Sequence, residues 1–202
     1  MKLLVGDIGN TITKISLFET NKYKSIKNFY FDSVKILSNK DLDKYLKIYN
    51  YKELTSTNDM AINLIKGNEI NNGCIWAEIQ TNGRGTHGKK WISKKGNFFT
   101  TIFFNLKNNF PPFDEFSIIN PVIISKVIKN LYKEHKISVK WPNDIFINGK
   151  KVCGILQELI THNNKKFLII GVGININSNP NINEPYKTTN IFNETKKKLK
   201  IK

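Results

Sequence analysis

Apolar residues recur at helical spacing in two segments of the chain. The first segment follows Thr55-Ser56 and predicts a helix over 58–66, which Gly67 is suited to end. The second predicts a core helix over 121–134, with Pro121 near its first turn. The two apolar faces consist of Met60, Ala61, Leu64 and Ile65 in the first helix, and of Val122, Ile124, Val127, Ile128 and Leu131 in the second.

Runs of β-branched and aromatic residues predict strands in the rest of the chain. The Asn148-Gly149 pair between two such runs is a strong hairpin signal, and residues 1–20 predict two short strands around a turn. The other predicted strands cover 74–80, 98–106, 137–141, 144–147, 151–159 and 167–176. Because strands outnumber helices and hairpins are frequent, the predicted class is α+β with a mixed, largely antiparallel sheet.

Composition and charge narrow the possible partners. The chain of 202 residues suits one domain with an appendage. Its net charge of +16 invites a nucleic-acid interpretation, but Arg84 is the only arginine among 32 basic residues. Proteins that recognise phosphates specifically usually use the bidentate guanidinium of arginine. We therefore expect no specific nucleic-acid partner, and a positive surface that attracts anionic substrates or an acidic protein.

The sequence also bears on location. No run of about 18 apolar residues could span a bilayer, and the first residues lack the apolar core of a secretion signal. Cys74 and Cys153 lie far apart, without the spacing of a metal or redox motif. We therefore expect a cytoplasmic protein without membrane attachment.

A glycine-rich basic loop follows the strand that ends at Gln80. The loop consists of Gly83-Arg84-Gly85-Thr86-His87-Gly88-Lys89-Lys90-Trp91. Its three glycines allow the backbone to approach a ligand closely and to direct N–H groups at phosphate oxygens. Its basic residues can neutralise a triphosphate or a mixed anhydride, and Trp91 offers a flat face for a purine. The alternative is a flexible basic loop on the surface.

Two further segments could contribute to the same chemistry. Lys140-Trp141-Pro142-Asn143-Asp144 places a lysine at the end of an apolar strand, where it points either to solvent or into a cleft. In Gly171-Val172-Gly173-Ile174-Asn175 the glycines remove side chains where a ligand could lie close to the backbone. A plain hairpin turn and a β-bulge are the respective alternatives.

In this order and spacing, the segments resemble the biotin–protein ligases. The resemblance covers residues 51–190 and implies a sheet with helices packed on one face, as in class II aminoacyl-tRNA synthetases and biotin ligases. It divides the chain into an N-terminal strand-turn-strand appendage (1–45), which is not a winged helix, and a catalytic domain (46–202), truncated and without the SH3-like C-terminal domain. The matching motifs are Ser56-Thr57-Asn58 at a helix start, Gln80, Gly83–Trp91, Lys140–Asp144, Lys151–Glu158 and Gly171–Asn175.

The reaction that this resemblance implies has two steps. Biotin and MgATP would give biotinyl-5′-AMP and pyrophosphate, and a lysine ε-amine of a biotin carrier domain would then displace AMP. The implied cofactors are ATP and Mg2+ held by the substrate phosphates, with no metal site on the protein. The implied partner is the biotin carboxyl carrier protein of acetyl-CoA carboxylase or of a related biotin-dependent carboxylase. A homodimer would be favoured by an exposed sheet edge.

The resemblance also implies roles for individual residues. Arg84 and Lys140 would be catalytic, because they would hold the biotin carboxylate and the phosphate while charge develops. Thr86 occupies a position where many family members carry arginine, so we expect weaker retention of the adenylate. The other implied biotin contacts are Ser56, Thr57, Asn58, Gln80 and Gly85, and the implied ATP or adenylate contacts are Gly83, Gly88, Lys89, Trp91, Asn143, Lys151 and Asn175.

Other interpretations stay open at this point. A fragment lacking the C-terminal structure of the family could bind biotin or its adenylate with weak or no catalysis, and a lipoate or octanoate transferase would share the fold. The N-terminal Asp7-Ile8-Gly9-Asn10-Thr11, with Lys14, resembles the first phosphate loop of type III pantothenate kinases. Only the first few tens of residues match, so we expect an appendage there and not a working kinase.

Overall fold

The computed structural model describes residues 2–8, 12–19, 24–32, 47–68, 70–108, 110–180 and 185–197. Side chains are described from Lys47 onward, Asn68 excepted. The chain divides into two compact units, Met1–Lys47 and Ile48–Lys202. The roles assigned above to 1–45 and 46–202 stay predictions.

The N-terminal unit contains a three-stranded antiparallel sheet. Its strands are β1 (Lys2–Ile8), β2 (Ile12–Glu19) and β3 (Lys24–Asp32), in the order β1-β2-β3. The two strands expected within residues 1–20 are present, and β3 lies in a stretch that the sequence pattern left unassigned. The Gly9-Asn10-Thr11 turn of the kinase-like motif lies outside the described residues.

The larger unit is built on a seven-stranded sheet in the order β4-β5-β6-β10-β9-β8-β7. Neighbouring strands are antiparallel except for the parallel pair β4 and β5, which confirms the predicted mixed, largely antiparallel sheet. The Asn148-Gly149 hairpin is also confirmed: it joins β8 to β9 with φ of 50° and 77°, the left-handed values that its turn type requires. The strands are β4 (Ile48–Leu54), β5 (Asn72–Gln80), β6 (Phe98–Asn105), β7 (Ile137–Lys140), β8 (Asp144–Ile147), β9 (Lys150–His162) and β10 (Lys165–Ile174).

Three α-helices accompany this sheet: α1 (Thr57–Asn68), α2 (Phe116–Leu131) and α3 (Ile191–Thr195). Short 3-10 turns cover Thr86–Gly88 and Phe113–Glu115. None of the helices in the described part of the chain is long and apolar enough to cross a membrane.

The predicted bounds of the second helix were wrong, and its predicted face was right only in part, since Ile128 is buried but other members of the face are not. α2 begins at Phe116, so Pro121 lies in its second turn and not near its start. Phe116 and Ile119 are buried, and the apolar burial gained by an earlier start outweighs the hydrogen bond that proline cannot donate. Val127 and Leu131, which we expected in the core, are 47% and 64% exposed.

The two long helices lie on opposite faces of the sheet. Phe103 of β6 belongs to the apolar cluster under α1, whereas the next residue, Phe104, meets Phe116 of α2 with ring centroids 6.4 Å apart. Asn120 of α2 donates to Gln157 of β9 on that same second face. Successive strand residues point to opposite faces, so the expectation of helices on one face is corrected. Both faces of the central strands carry buried apolar side chains, and each face needs its own cover.

The core under α1 fixes the position of its first turn. Ala61 and Ile65 are fully buried against the sheet. The helix begins directly after Ser56, whose Oγ accepts the Asp59 N–H at 3.3 Å in the manner of an N-cap. This packing places residues 56–58 beside the end of β5 and beside Gly171 of β10. The rest of the cluster consists of Leu54, Ile75, Ala77, Phe103, Phe167 and Ile169.

Candidate active site

A cavity of about 620 Å3 opens on the α1 face of the sheet. Three segments that are far apart in the sequence meet in it: the start of α1, the glycine-rich loop and the turn after Lys140. Gly83, Gly88 and Asn175 were predicted to contact the ligand but are not part of its lining. The predicted site residues that line it are Ser56, Thr57, Asn58, Gln80, Arg84, Gly85, Thr86, Lys89, Trp91, Lys140, Asn143 and Lys151.

One end of the cavity, which we name the polar half, is formed by Ser56, Thr57, Asn58 and Gln80, with Thr101 behind them. The first three side chains and Thr101 are buried. Gln80 Oε1 accepts hydrogen bonds from the Thr57 N–H at 2.8 Å and from its hydroxyl at 3.0 Å. Thr101 Oγ1 donates to Asn58 Oδ1 at 2.6 Å and lies 2.8 Å from Thr57 Oγ1. This end is therefore uncharged, buried and already ordered by its own hydrogen bonds.

Gly171 forms the floor of the polar half. A Cβ atom at this position would lie 2.2 Å from Asn58 Oδ1, so the amide rests where any other residue would place its side chain. Asn58 Nδ2 donates to Glu158 at 2.7 Å and to the Leu156 carbonyl at 3.4 Å. The amide of Asn58 is thus held by protein groups on both sides, and its predicted contact with a ligand stays a prediction.

Arg84 is held by two carboxylates that the sequence analysis did not identify. Its Nη1 and Nη2 donate to the two Glu158 oxygens at 2.8 and 2.7 Å, and Nη2 also lies 2.8 Å from Asp59 Oδ1. Partial burial alone would lower the pKa of the Arg84 guanidinium, but the two carboxylates outweigh it and raise that pKa above its ordinary value. Glu158 ends a motif already noted in the sequence, and Asp59 lies in the first turn of α1. Neither position carries a local signal that it faces Arg84.

The glycine-rich loop folds back on itself as a narrow hairpin. The Gly85 N–H donates to the Lys89 carbonyl at 2.7 Å, and the Trp91 N–H donates to the Gly83 carbonyl at 2.8 Å. At the tip, His87 and Gly88 adopt φ of 55° and 72°. The N–H groups of Gly85 and Trp91 thus donate within the loop and not into the cavity. The loop is therefore more ordered than a flexible surface loop.

A continuous set of polar contacts joins the two ends of this loop. Its members belong to α1, β5, β6, β9 and the segment after the loop, so it ties the loop to several parts of the core. The contacts run from Arg84 through Glu158, Asn58, Thr101, Thr57, Gln80 and Ser93 to the Trp91 carbonyl.

Trp91 lies flat on a pair of glycines. Gly154 of β9 and Gly173 of β10 are directly opposite each other in the sheet. A Cβ atom on either residue would lie 2.6 or 2.4 Å, respectively, from an atom of the indole ring. The glycines of the β9 and β10 motifs therefore make room for an aromatic ring on the sheet, and no register shift interrupts this strand pair.

The other end of the cavity, which we name the cationic half, is formed by Trp91, Lys140, Lys151 and Tyr186. The Lys140 and Lys151 ammonium groups lie 4.4 and 5.3 Å from the centre of the Tyr186 ring, within the range of cation–π attraction. Lys151 pairs with the buried Asp144 at 2.7 Å. Lys140 pairs with no carboxylate in the described part of the chain. Its charge remains available for an anion.

The turn after Lys140 is tied to the glycine-rich loop. Asn143 Nδ2 donates to Thr86 Oγ1 at 3.3 Å, so the predicted biotin contact Thr86 and the predicted nucleotide contact Asn143 touch each other. Lys140 is exposed, but it also lines the cavity and lies over the Tyr186 ring, so its ammonium group faces the cavity while remaining accessible to solvent.

Asn175 lies behind the cavity wall. Its N–H donates to the Val152 carbonyl at 2.9 Å and its Nδ2 donates to the Thr189 carbonyl at 3.1 Å. Its Oδ1 is buried and accepts no hydrogen bond from the residues that the structure describes. A buried acceptor without a donor is costly, but Asn175 does not line the cavity, so its predicted contact with the nucleotide stays a prediction.

Comparisons with known proteins agree with this geometry. Residues 51–175 match the sequence profile of the Biotin/lipoate A/B protein ligase family. The chain is 33% identical over 125 residues to the bifunctional ligase/repressor BirA of Escherichia coli, which covers 61% of this chain and 38% of that protein. It is 29% identical over 129 residues to the biotin–[acetyl-CoA-carboxylase] ligase of Paracoccus denitrificans, covering 62% and 52%.

Solved structures show the same fold. The biotin protein ligase of Aquifex aeolicus in complex with biotin and ATP superposes with a TM-score of 0.61 and 29% identity, covering 76% of this chain and 63% of that one. The biotin protein ligase of Leishmania major in complex with biotinyl-5-AMP superposes with a TM-score of 0.58 and 28% identity, and the match covers 70% of this chain and 62% of that one. The chain thus spans less than two thirds of each of these relatives. Because the family match covers more than half of the chain, the protein belongs to the biotin/lipoate A/B protein ligase family.

Proposed function

We propose that this protein attaches biotin to a lysine of a carrier protein in an ATP-dependent reaction that passes through biotinyl-5′-AMP. The observation that carries the proposal is the composition of one cavity. A buried, uncharged hydrogen-bonding end continues into an end with two lysines, and biotin has this sequence of groups: a neutral urea at one end and a carboxylate at the other.

The polar half suits the urea. A urea buried without partners would lose about 1–3 kcal/mol per polar group. Thr57 and Gln80 offer hydroxyl and amide groups that can both donate and accept. Lipoate and octanoate carry no urea, so neither acid would form further hydrogen bonds with these groups. The polar half therefore favours biotin over the other substrates of the fold.

The cationic half suits the activation step. A carboxylate oxygen of biotin would attack the α-phosphorus of ATP while the bond from that phosphorus to the bridging oxygen breaks and pyrophosphate leaves. Lys140 would stabilise the negative charge that builds up on the phosphoryl oxygens in this step. Lys151 would contribute from the phosphate side, with Asp144 holding its ammonium group in place.

The carrier step needs no nucleophile from the protein. The carrier lysine amine would attack the acyl carbon of the mixed anhydride, and the bond to the AMP oxygen would break. The proton that the amine loses would pass to solvent or to the departing phosphate. A mixed anhydride is reactive because AMP is a good leaving group, whereas a free carboxylate is not an electrophile.

The residues present fit a purine nucleotide. One face of the Trp91 indole lies on Gly154 and Gly173, and its other face would offer a flat surface for a purine ring. Magnesium would neutralise the phosphate oxygens of ATP and would be held mainly by them. In the described residues, no group of three or more His, Cys, Asp or Glu side chains is placed to ligate a metal ion.

The proposed partner is an acidic biotin carrier domain, such as the biotin carboxyl carrier protein of acetyl-CoA carboxylase or of a related carboxylase. The net charge of +16 supports this choice, because it would increase the rate of encounter with an acidic protein. A cytoplasmic location, the absence of a specific nucleic-acid partner and a possible homodimer stay predictions. Strand β7, at the edge of the sheet, is the feature that would support a homodimer.

The test is biotin-dependent exchange of pyrophosphate into ATP, followed by the mass of a carrier fragment. Biotin, lipoate and octanoate are offered separately with MgATP. We expect exchange with biotin alone and a carrier mass increased by one biotinyl group. Exchange with lipoate or octanoate but not biotin would overturn the substrate assignment. Biotin binding without exchange would support an inactive binding fragment.

A further inference from the structure

The positive charge of Arg84 is already paired with carboxylates of the protein itself. Its guanidinium faces both oxygens of Glu158 and one oxygen of Asp59, at 2.7–2.8 Å. The bidentate pair with Glu158 is the strongest geometry available to an arginine and a carboxylate. Two negative charges against one positive charge leave this cluster with an excess of negative charge. Such a cluster is poorly suited to attract a carboxylate or a phosphate.

The place of Arg84 in the chain points to a different role. It lies between Gly83 and Gly85, at the start of the loop that lines the cavity. Glu158 belongs to β9 and Asp59 to α1, so the cluster fastens the loop to two core elements at once. Side-chain exposure is 33% for Arg84, 24% for Glu158 and 38% for Asp59, so solvent only partly weakens these contacts.

We infer that Glu158 is a positioning residue that acts through Arg84: the pair is a latch that holds the glycine-rich loop in its substrate-binding position, and Asp59 strengthens it. Arg84 then contributes to the reaction through the position of the loop and not through direct contact of its charge with the phosphate. This inference rests on the proposed function for its kinetic consequences, but its structural part does not.

A second feature supports the latch. Asn58 Nδ2 donates at 2.7 Å to Glu158 Oε2, the oxygen that also accepts from Arg84 Nη2. Glu158 is thus shared between the loop and the polar half of the cavity. A displacement of Glu158 would move the loop and loosen Asn58 together, which explains why a carboxylate with four acceptor sites is useful at this position.

The structural test measures how fast trypsin cleaves the loop after Lys89 and Lys90 in the folded chain. Glu158→Gln keeps the size of the side chain and removes its charge. We expect cleavage at these sites to become about tenfold faster, because the loop opens more often when its charged hydrogen bonds are lost. The matched control is Glu78→Gln. Glu78 lies on β5, outside the cavity lining, and its carboxylate forms an ion pair with Lys95. Equal loop cleavage in Glu158→Gln and Glu78→Gln would overturn the latch.

The kinetic test is a double-mutant cycle in biotin-dependent pyrophosphate exchange. We expect Arg84→Lys and Glu158→Gln each to lower kcat/KM for biotin about tenfold or more, and the double variant to fall no further than the worse single variant. If Arg84 instead bound substrate directly, removal of Glu158 would free its charge. Glu158→Gln would then bind biotin as well as the unmodified protein or better, and the effects of Arg84→Lys and Glu158→Gln on kcat/KM would multiply in the double variant. Either of these results would overturn the inference.

Misfolding of a variant and failure of the proposed function can both be told apart from failure of the latch. If Glu158→Gln fails to fold by circular dichroism, Asp59→Asn decides in its place, because it breaks one exposed contact of the cluster and should speed cleavage about threefold. Absence of exchange in the unmodified protein would count against the proposed function, while the cleavage experiment would still decide the latch.

Discussion

The two halves of the cavity are built in opposite ways. In the polar half, neutral side chains satisfy one another, and the buried hydroxyl of Thr101 lies behind the groups that face the ligand. In the cationic half, Lys140 and Lys151 face an aromatic ring, and the Lys140 charge has no carboxylate partner among the described residues. The first half is complete before a ligand arrives, whereas the second lacks an anion. Under the proposed function, recognition of biotin and the activation step would be assigned to separate sets of residues.

The largest effect is expected from the lysine of the cationic half. Lys140→Ala should reduce biotin-dependent pyrophosphate exchange about a hundredfold to a thousandfold, because it removes a charge aimed at the reacting phosphoryl group. Biotin binding, measured by calorimetry without ATP, should weaken far less.

Lys166→Ala is the matched control for this variant. Lys166 is an exposed lysine of β10 outside the cavity lining, so its loss should leave exchange unchanged. An equal loss of exchange in both variants would mean that total charge matters and not the position of Lys140.

A pair of glycines on one strand tests whether the halves fail separately. Gly171→Ala places a methyl group against Asn58, and Gly173→Ala places one against Trp91. We expect the first to raise KM for biotin about tenfold with little change for ATP, and the second to raise KM for ATP about tenfold with little change for biotin.

Each glycine variant serves as the control for the other. They lie two residues apart on β10 and face the same side of the sheet, so any general weakening of the strand affects both. If both variants raise both KM values equally, the division of the cavity into two halves is wrong.

The smallest effect concerns the stability of the fold at low pH, outside both halves of the cavity. Burial alone would raise the pKa of Glu194 in α3, but hydrogen bonds from Lys150, Thr189 and Asn148 lower it to about 2. A folded-state pKa below the ordinary value means that acid favours the unfolded chain. The stabilisation is therefore complete above about pH 4.5 and is lost as the pH falls toward 2.

Glu194→Gln should lower the free energy of unfolding by about 2 kcal/mol at pH 7. The deficit should shrink below pH 4.5, because the native carboxylate loses its advantage there. Urea unfolding at pH 7 and pH 3 measures both values. A deficit that is the same at both pH values would show that the carboxylate charge is not the source of the stabilisation.

Local patterns were sufficient for much of this molecule. The strands β5 to β10, the start of α1 and the Asn148-Gly149 hairpin follow from spacing and turn chemistry, which depend on neighbouring residues alone, whereas β4 (Ile48–Leu54) was not predicted. The resemblance identified residues that the fold does bring to one cavity, such as Ser56, Arg84 and Lys140. These motifs could be recognised because each is a short run with an unusual composition.

Features that depend on distant residues were missed. Glu158 lies 74 positions from Arg84, and only the register of β9 against the rest of the sheet brings the two together. Thr101 is an ordinary strand residue until the sheet places it behind Thr57. The placement of α2 on the second face was also missed, because helical periodicity shows that a helix has an apolar face but not which side of a sheet it covers.

The continuous set of polar contacts that joins Arg84 to the Trp91 carbonyl limits how the sequence of the glycine-rich loop can vary. The number of residues between Arg84 and Trp91 is fixed by the two anchor points, and the positive φ of His87 and Gly88 restricts the residue types that the tip accepts. An inserted residue would have to detach one anchor. Among proteins that share this loop, length should therefore be kept, and exchanges at the tip should favour residues such as glycine and asparagine.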